Sequence, residues 1–256
     1  MTALTAFLKK EFLAIFRTGK AVGLLFVFLL FGIMNPAIAK LTPWMMEMMA
    51  DSMAETGLSV TAVEVNALTS WTQFYKNTPI AIILFLLMFS NILTEECQCR
   101  TLINMITKGL PRWKVLAAKA TILLIVWTVG YWMMFGVTYA YNRYFWNDTA
   151  VWHSIFAAFC VYLLGIWLIS FLLFVSVFVH SNTIALAATG GCVIGMYLLS
   201  FIPAICKYFP IYCMSASSLL TNSAEVIDFL PAIVITVILI VGQSIASIFC
   251  FNNKQL

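Results

Sequence analysis

Between Glu95 and Lys119 the chain reads EECQCRTLINMITKGLPRWKVLAAK, two acids and five bases set between two long apolar runs. Charged groups are costly in hydrocarbon, so the polar side of this segment is expected outside the lipid, within reach of a cytoplasmic partner. The charges thin out between Arg100 and Lys108, leaving Leu102, Ile103, Met105 and Ile106 as an apolar patch. Gly109 and Pro111 then end the helix before Arg112, Trp113 and Lys114 open the next apolar run. A short amphipathic helix of this kind either rests on the headgroups or inserts its apolar face into a groove on a partner.

Other chemistry is sparse. There is no HExxH, no pair of intramembrane carboxylates, and no serine with a His or Lys partner at a plausible depth. Ser170, Ser176, Ser244 and Ser247 read as hydrogen-bonding groups within or between helices, so an enzyme is not expected. No phosphate-binding loop of the form GxxxxGK[ST] is present; the only Gly-Lys pair, Gly19-Lys20, lacks the preceding pattern. If ATP drives this protein, another subunit must hydrolyse it, and the energy must enter mechanically through a cytoplasmic contact. No Asp, Glu, Lys, Arg or His falls in the middle of any predicted span, which argues against a proton-driven carrier. Sodium sites built from carbonyls and hydroxyls stay open, with Asn35-Pro36 and Gly190-Gly191 as the hints of broken helices.

Seven cysteines are scattered without metal spacing, so no metal site is expected. Cys97 and Cys99 face the cytoplasm and should be reduced, while Cys206 and Cys213 fall on the outer side and are expected unpaired. His153 and His180 belong to opposite faces and share no site.

The elements that must position the charged segment are membrane helices. The chain is 63% hydrophobic and 9% charged, outside the range of soluble globular domains. A hydrocarbon core of roughly 30 Å needs about 20 apolar residues per helix. Six stretches qualify: about 20–39, 75–94, 115–141, 152–179, 181–202 and 230–251. They are continuous and rich in Leu, Ile, Phe and Ala, unlike the alternating segments of a β-barrel. The fold expected is an all-α integral membrane protein, a single six-helix domain over 1–256.

Basic residues near helix ends set the orientation. With a cytoplasmic N-terminus that side receives Lys9, Lys10, Arg17, Lys20, Arg100, Lys108, Arg112, Lys114, Lys119 and Lys254. The other side receives only Lys40, Lys76, Arg143 and Lys207, and most of the acids. Both termini are therefore expected in the cytoplasm, and the net charge of +4 is read as topology, not as affinity for nucleic acid. Lys9/Lys10, the apolar run and Ala37-Ile38-Ala39 mimic a signal peptide, but the run is expected to stay as the first span.

Residues 1–19 contain an amphipathic helix over 4–17, with Leu4, Phe7, Leu8, Phe12 and Ile15 on one face and Lys9, Lys10, Arg17 and Lys20 opposite. It is expected to lie in the inner headgroup layer. After the first span, PWMMEMMADSMAETG forms a helix with Glu47, Asp51 and Glu55 on one stripe and Met45, Met46, Met49 and Met53 turned away, expected to pack on the helices below. Tyr139, Tyr141, Tyr144, Phe145, Trp146 and Trp152 read as an interfacial aromatic belt. Residues 203–229, interrupted by Pro203 and Pro210, read as a re-entrant or shallow outer hairpin capping a cavity.

The order Glu95-Glu96, Arg100-Thr101-Leu102, Thr107-Lys108-Gly109-Leu110-Pro111-Arg112 and Lys119 resembles the region between the second and third helices of ABC-2 transporter permeases. Arg100 stands where that family usually has Gly, and Pro111 where Ser or Thr often precedes the Arg. Six helices, an N-terminal interfacial helix and an outer hairpin before the last helix extend the resemblance over nearly the whole chain.

The resemblance implies a permease in a bacterial cytoplasmic membrane that pairs with a second permease copy and with two separate ABC ATPase subunits. These partners would carry the ATP and Mg; this chain would bind no cofactor itself. It further implies that 95–119 is the coupling segment, with Glu95, Glu96, Arg100, Thr101, Leu102, Met105, Ile106, Lys108 and Arg112 engaging the ATPase. Phe7, Leu8, Lys9, Lys10 and Phe12 of the interfacial helix would touch it too. The expected activity is export of an amphipathic or lipophilic substrate, a peptide foremost, by alternating access; bacteriocins and phenol-soluble modulins are examples of such cargo. Phe85, Phe89, Tyr197 and Phe201 are candidates for the pathway wall. An ion-coupled or passive transporter, or a scaffold or sensor without transport, is the alternative.

Overall fold

The computed structural model describes residues 3–54, 66–98, 107, 109, 111–146, 151–179 and 181–253. Among these residues the regular structure is helical throughout, in the order α1 (Ala3–Arg17), α2 (Lys20–Ala54), α3 (Ala67–Phe89), α4 (Thr94–Gln98), α5 (Arg112–Trp146), α6 (Ser154–Phe178), α7 (Asn182–Leu199), α8 (Pro203–Cys206), a 3₁₀ helix (Pro210–Thr221) and α9 (Val226–Asn253). Six of these runs are long and apolar enough to cross a membrane, as the composition predicts.

The helix ends follow local chemistry. Gly19, with φ of +72°, takes the left-handed turn that separates α1 from α2, a conformation in which a Cβ is strained. Asn66 caps α3 by accepting the Thr69 N–H at 3.2 Å. Gly109, with φ of +89°, and Pro111 precede α5, as the sequence suggests. Pro36 lies inside α2 and lacks the N–H that would bond the Gly32 carbonyl four residues back. The Thr138 hydroxyl of α5 donates to that carbonyl at 3.1 Å and accepts from Asn35 Nδ2 at 3.1 Å. Asn77 Nδ2 of α3 donates to Asn35 Oδ1 at 2.7 Å, so one uncharged cluster ties three helices together at the proline.

Packing divides into two sets joined through α5 and α6: α2 lies on α3 and α5, and α6 lies on α9 and the 3₁₀ helix. Trp127 of α5 fills the centre of the core. Its indole lies against Gly165, where an added Cβ would come within 2.1 Å of the ring, and its Nε1–H donates to the Tyr162 carbonyl at 3.2 Å. The α6 span is 67% buried, whereas the α7 and α9 spans are each only 11% buried. Those two helices form the periphery.

One expectation changes here. The Met-bearing segment after the first span continues α2 as one 35-residue helix. At about 1.5 Å per residue that is longer than a roughly 30 Å core. Met45 and Met46 stay exposed at its end and do not pack down. Residues 203–229 are the short α8 and a 12-residue 3₁₀ helix leading into α9, with Ile211, Cys213, Ala216 and Leu219 buried. The buried face holds this segment against α6, and just before α6 the Trp152 N–H reaches the Leu220 carbonyl. Cys213 meets Cys160 of α6 and Thr236 of α9. Most of the aromatic cluster ends α5, where Tyr144 and Phe145 are exposed and Lys40 sits 4.0 Å above the Phe145 ring; Trp152, just before α6, is exposed as well.

Candidate functional site

Four charges meet where α1, α4 and α5 converge. Lys119 Nζ stands 2.8 Å from Glu96 Oε2 and 3.2 Å from Glu11 Oε2. Lys10 Nζ stands 2.8 Å from Glu11 Oε1 and 2.9 Å from Glu96 Oε1. Acids and bases thus alternate around a closed ring, and each carboxylate uses both oxygens. Lys119 also donates to the Ile92 carbonyl at 2.7 Å, in the turn between α3 and α4. Its side chain is 1% exposed, while that of Lys10 is 44% exposed, so the ring has one dry corner and one wet one.

The two lysines therefore differ in kind. A buried charge that loses its partners is strongly destabilising, whereas an exposed pair contributes little. Partial burial lowers the Lys10 pKa, and the hydrogen bonds it donates to Glu11 and Glu96 more than offset this, holding its ammonium above the ordinary lysine value. Beside the ring lies a cavity of about 440 Å³ bordered by α1, the turn after α3, and α4. On its rim Lys20 Nζ donates to Asn91 Oδ1 at 3.1 Å, and Asn91 Nδ2 donates to Glu95 Oε2 at 2.7 Å. Glu95 is thereby tied to α2 and Glu96 to α1 and α5.

The helix α1 has two apolar sides. Phe7 and Ile15 are buried with Glu11 between them, and Leu4 and Leu8 pack beside them. Phe12, Leu13 and Phe16 are exposed on the other side, and Lys9 is exposed as well. Phe12 therefore leaves the face it shares with Phe7 on a simple wheel. At the start of α5, Arg112 Nη1 donates to the Phe251 and Asn252 carbonyls at 3.3 and 3.2 Å. A cation at the C-terminal end of α9 satisfies carbonyls that have no partner within the helix.

Of the residues predicted to engage a partner, Glu95, Glu96 and Arg112 are thus anchored within this chain. Arg100, Thr101, Leu102, Met105, Ile106 and Lys108 lie outside the described residues. The pathway candidates separate. Phe85 and Phe89 meet at a tilt with ring centroids 5.1 Å apart, and Phe85 meets Trp127 at 5.5 Å, so both belong to the packed interior. Tyr197 and Phe201 are exposed at the end of α7, 5.3 Å apart.

Sequence reasoning missed the ring because it counted Lys119 and Glu11 as solvated end charges. The signal was present. Lys119 falls on the stripe of Val115, Leu116, Ile122 and Leu123, and Glu11 falls four residues from both Phe7 and Ile15. A charge on the apolar face of each of two neighbouring helices calls for a partner of opposite sign.

A helical bundle with six membrane-length helices and an intracatenary charge ring at one end defines a multi-pass membrane protein. No protein-family model matches the chain, and no curated protein and no solved structure matches it either.

Proposed function

We propose that this chain is the permease subunit of an ATP-driven ABC exporter of the ABC-2 kind. It would act in a bacterial cytoplasmic membrane as one of two permease copies, with separate ATPase subunits docked on the cytoplasmic end. The observation that carries this reading is the ring of Lys10, Glu11, Glu96 and Lys119. It couples α1 and α5 to α4, which leads directly into the amphipathic stretch 99–110 in a chain that carries no phosphate-binding loop. Force applied at that stretch would pass through Glu96 into Lys119 and α5, and through Glu11 into α1. A helix end fixed by buried ion pairs moves with its neighbours and does not fray.

The periphery supports a second copy. Along α7, Ala187, Gly191 and Gly195 recur every four residues, and a Cβ built on Gly191 or Gly195 meets nothing within 4 Å. Small residues at this spacing let membrane helices approach closely. The substrate expected between such faces is amphipathic or lipophilic, a peptide foremost, because their walls are apolar and aromatic. An ion-coupled carrier is less well supported: Asn35, next to Pro36 in the continuous α2, already has its amide oxygen and nitrogen bonded within the protein.

Affinity isolation of the tagged chain from mild-detergent membranes tests the reading. Quantitative mass spectrometry should find a stoichiometric protein bearing a GxxxxGK[ST] loop, and Met105→Asp with Ile106→Asp should lose it while membrane insertion is unchanged. Absence of any such ATPase from the wild-type isolate would overturn the proposal.

A further inference from the structure

Away from the charge ring, α5, α6 and α9 leave a groove of about 170 Å³ between them, near the end of the bundle that carries α1. Leu116, Ala120 and Leu124 form one wall, Ile169 and Leu173 the second, and Ile248 with Ser244 the third. Small Ala120 and Ser244 face the space where larger side chains would close it.

The groove is dry despite its serines. Ser170 Oγ donates to the Ile240 carbonyl at 3.3 Å and lies 3.4 Å from Ser244 Oγ. Ser244 itself donates to the Ile240 carbonyl at 2.7 Å, and Ser247 to the Gln243 carbonyl at 2.6 Å. Every hydroxyl is thus turned onto a helix backbone, and what remains facing the space is hydrocarbon. An apolar cavity of roughly 150 Å³ stays free of water and takes an apolar guest.

Depth identifies the guest. Leu116 and Leu124 lie four and twelve residues along α5 from Arg112. At a helical rise of about 1.5 Å per residue the groove runs from about 6 to about 18 Å along α5 from the Arg112 backbone. A single leaflet is half of a roughly 30 Å core, so the groove covers the length of one leaflet's acyl chains. Its mouth is cationic: Arg112 links α5 to the end of α9 there, with Lys114 beside it.

We propose that this groove holds one acyl chain of an anionic phospholipid from the leaflet at the α1 end, with Arg112 beneath its headgroup. Ala120 and Leu124 of the groove lie on a different face of α5 from Lys119, and the site needs neither an ATPase nor a substrate. A chain seated there fills the gap between the peripheral α9 and the core helices, so that lipid becomes part of the packing of α9.

Photo-crosslinking in nanodiscs tests the site. The protein is placed in mixed phosphatidylglycerol and phosphatidylcholine containing a trace of phosphatidylglycerol with a diazirine on its acyl chain, and adducts are mapped by peptide sequencing. Labelling of 116–124 and 244–248 should exceed that of Val22, Phe26 and Leu30, which are exposed on α2 at a similar depth, by several-fold. Ala120→Phe and, from the opposite wall, Ser244→Leu should each reduce it to the α2 level. The anionic probe should be preferred over its phosphatidylcholine counterpart by about fivefold, the factor one surface arginine supplies, and Arg112→Gln should remove that preference. Groove labelling no greater than α2 labelling in the wild type, or unaffected in both filled variants, would overturn the site. Equal labelling by the two probes would overturn its anionic character.

Discussion

Lys119 Nζ of α5 lies 2.8 Å from Glu96 Oε2 of α4, and the lysine side chain is only 1% exposed. The contact makes α4 and the beginning of a membrane-length helix a single mechanical unit. Glu11 closes the same unit onto α1 at 3.2 Å.

Lys119→Met should therefore destabilise the fold by about 3–5 kcal/mol, because Glu11 and Glu96 would keep their charges without the cation between them. Lys10→Met should cost less than about 1 kcal/mol, since its 44% exposed ammonium is screened by water. Thermal unfolding in detergent distinguishes the two. Glu11→Gln added to Lys119→Met should recover part of the loss, because the two sites are coupled. Equal shifts for the two lysine variants would contradict a buried anchor.

At Pro36 the account rests on one hydroxyl. Thr138→Val keeps the shape but leaves the Gly32 carbonyl and the Asn35 amide each short of a partner. A loss of about 1–2 kcal/mol is expected, and Thr138→Ser should retain most of the stability. A fully stable Thr138→Val protein would show that the proline break is satisfied some other way.

The helix pair α5 and α6 approaches closely only because residue 165 has no side chain. Gly165→Ala places a methyl against the Trp127 indole and should cost about 1–3 kcal/mol. Trp127→Leu in the Gly165→Ala background should relieve the clash. If Gly165→Ala unfolds at the wild-type temperature, the packing of Trp127 is not as described.

Assembly should be sensitive on α7. Gly191→Leu and Gly195→Leu fill the open small-residue stripe without touching the core, and each should shift the protein from dimer to monomer in mass photometry. A dimer unaffected by both would move the contact elsewhere, with α9 as the other exposed face.

The six spans were legible because continuous apolar runs such as Leu163–Val177 leave a membrane helix as the simplest reading. The start of α5 was legible from Gly109 and Pro111. Lys119 was not, since a charge three to four residues inside a span looks like a snorkelling end group until its buried partners are known. The 3₁₀ helix at Pro210–Thr221 also escaped, because its small polar residues carry no 3.6-residue period and its burial depends on α6 and α9. Phe85 and Phe89 illustrate the limit of residue type alone: their stripe with Phe74, Ala81 and Ile82 marks core, whereas their aromatic character suggested a pathway.

The central claim is that the 99–110 stretch and α1 receive an ATPase at the cytoplasmic end. Site-specific photo-crosslinking in intact cells measures this directly, with benzoylphenylalanine placed in turn at Met105, Ile106 and Lys9, and at Trp44 and Tyr144 as exposed positions on the opposite end of the bundle. The account predicts adducts to a protein bearing a GxxxxGK[ST] loop from the first three positions and none from Trp44 or Tyr144. Absence of that adduct at positions 105, 106 and 9, or equal yield at 144, would contradict it.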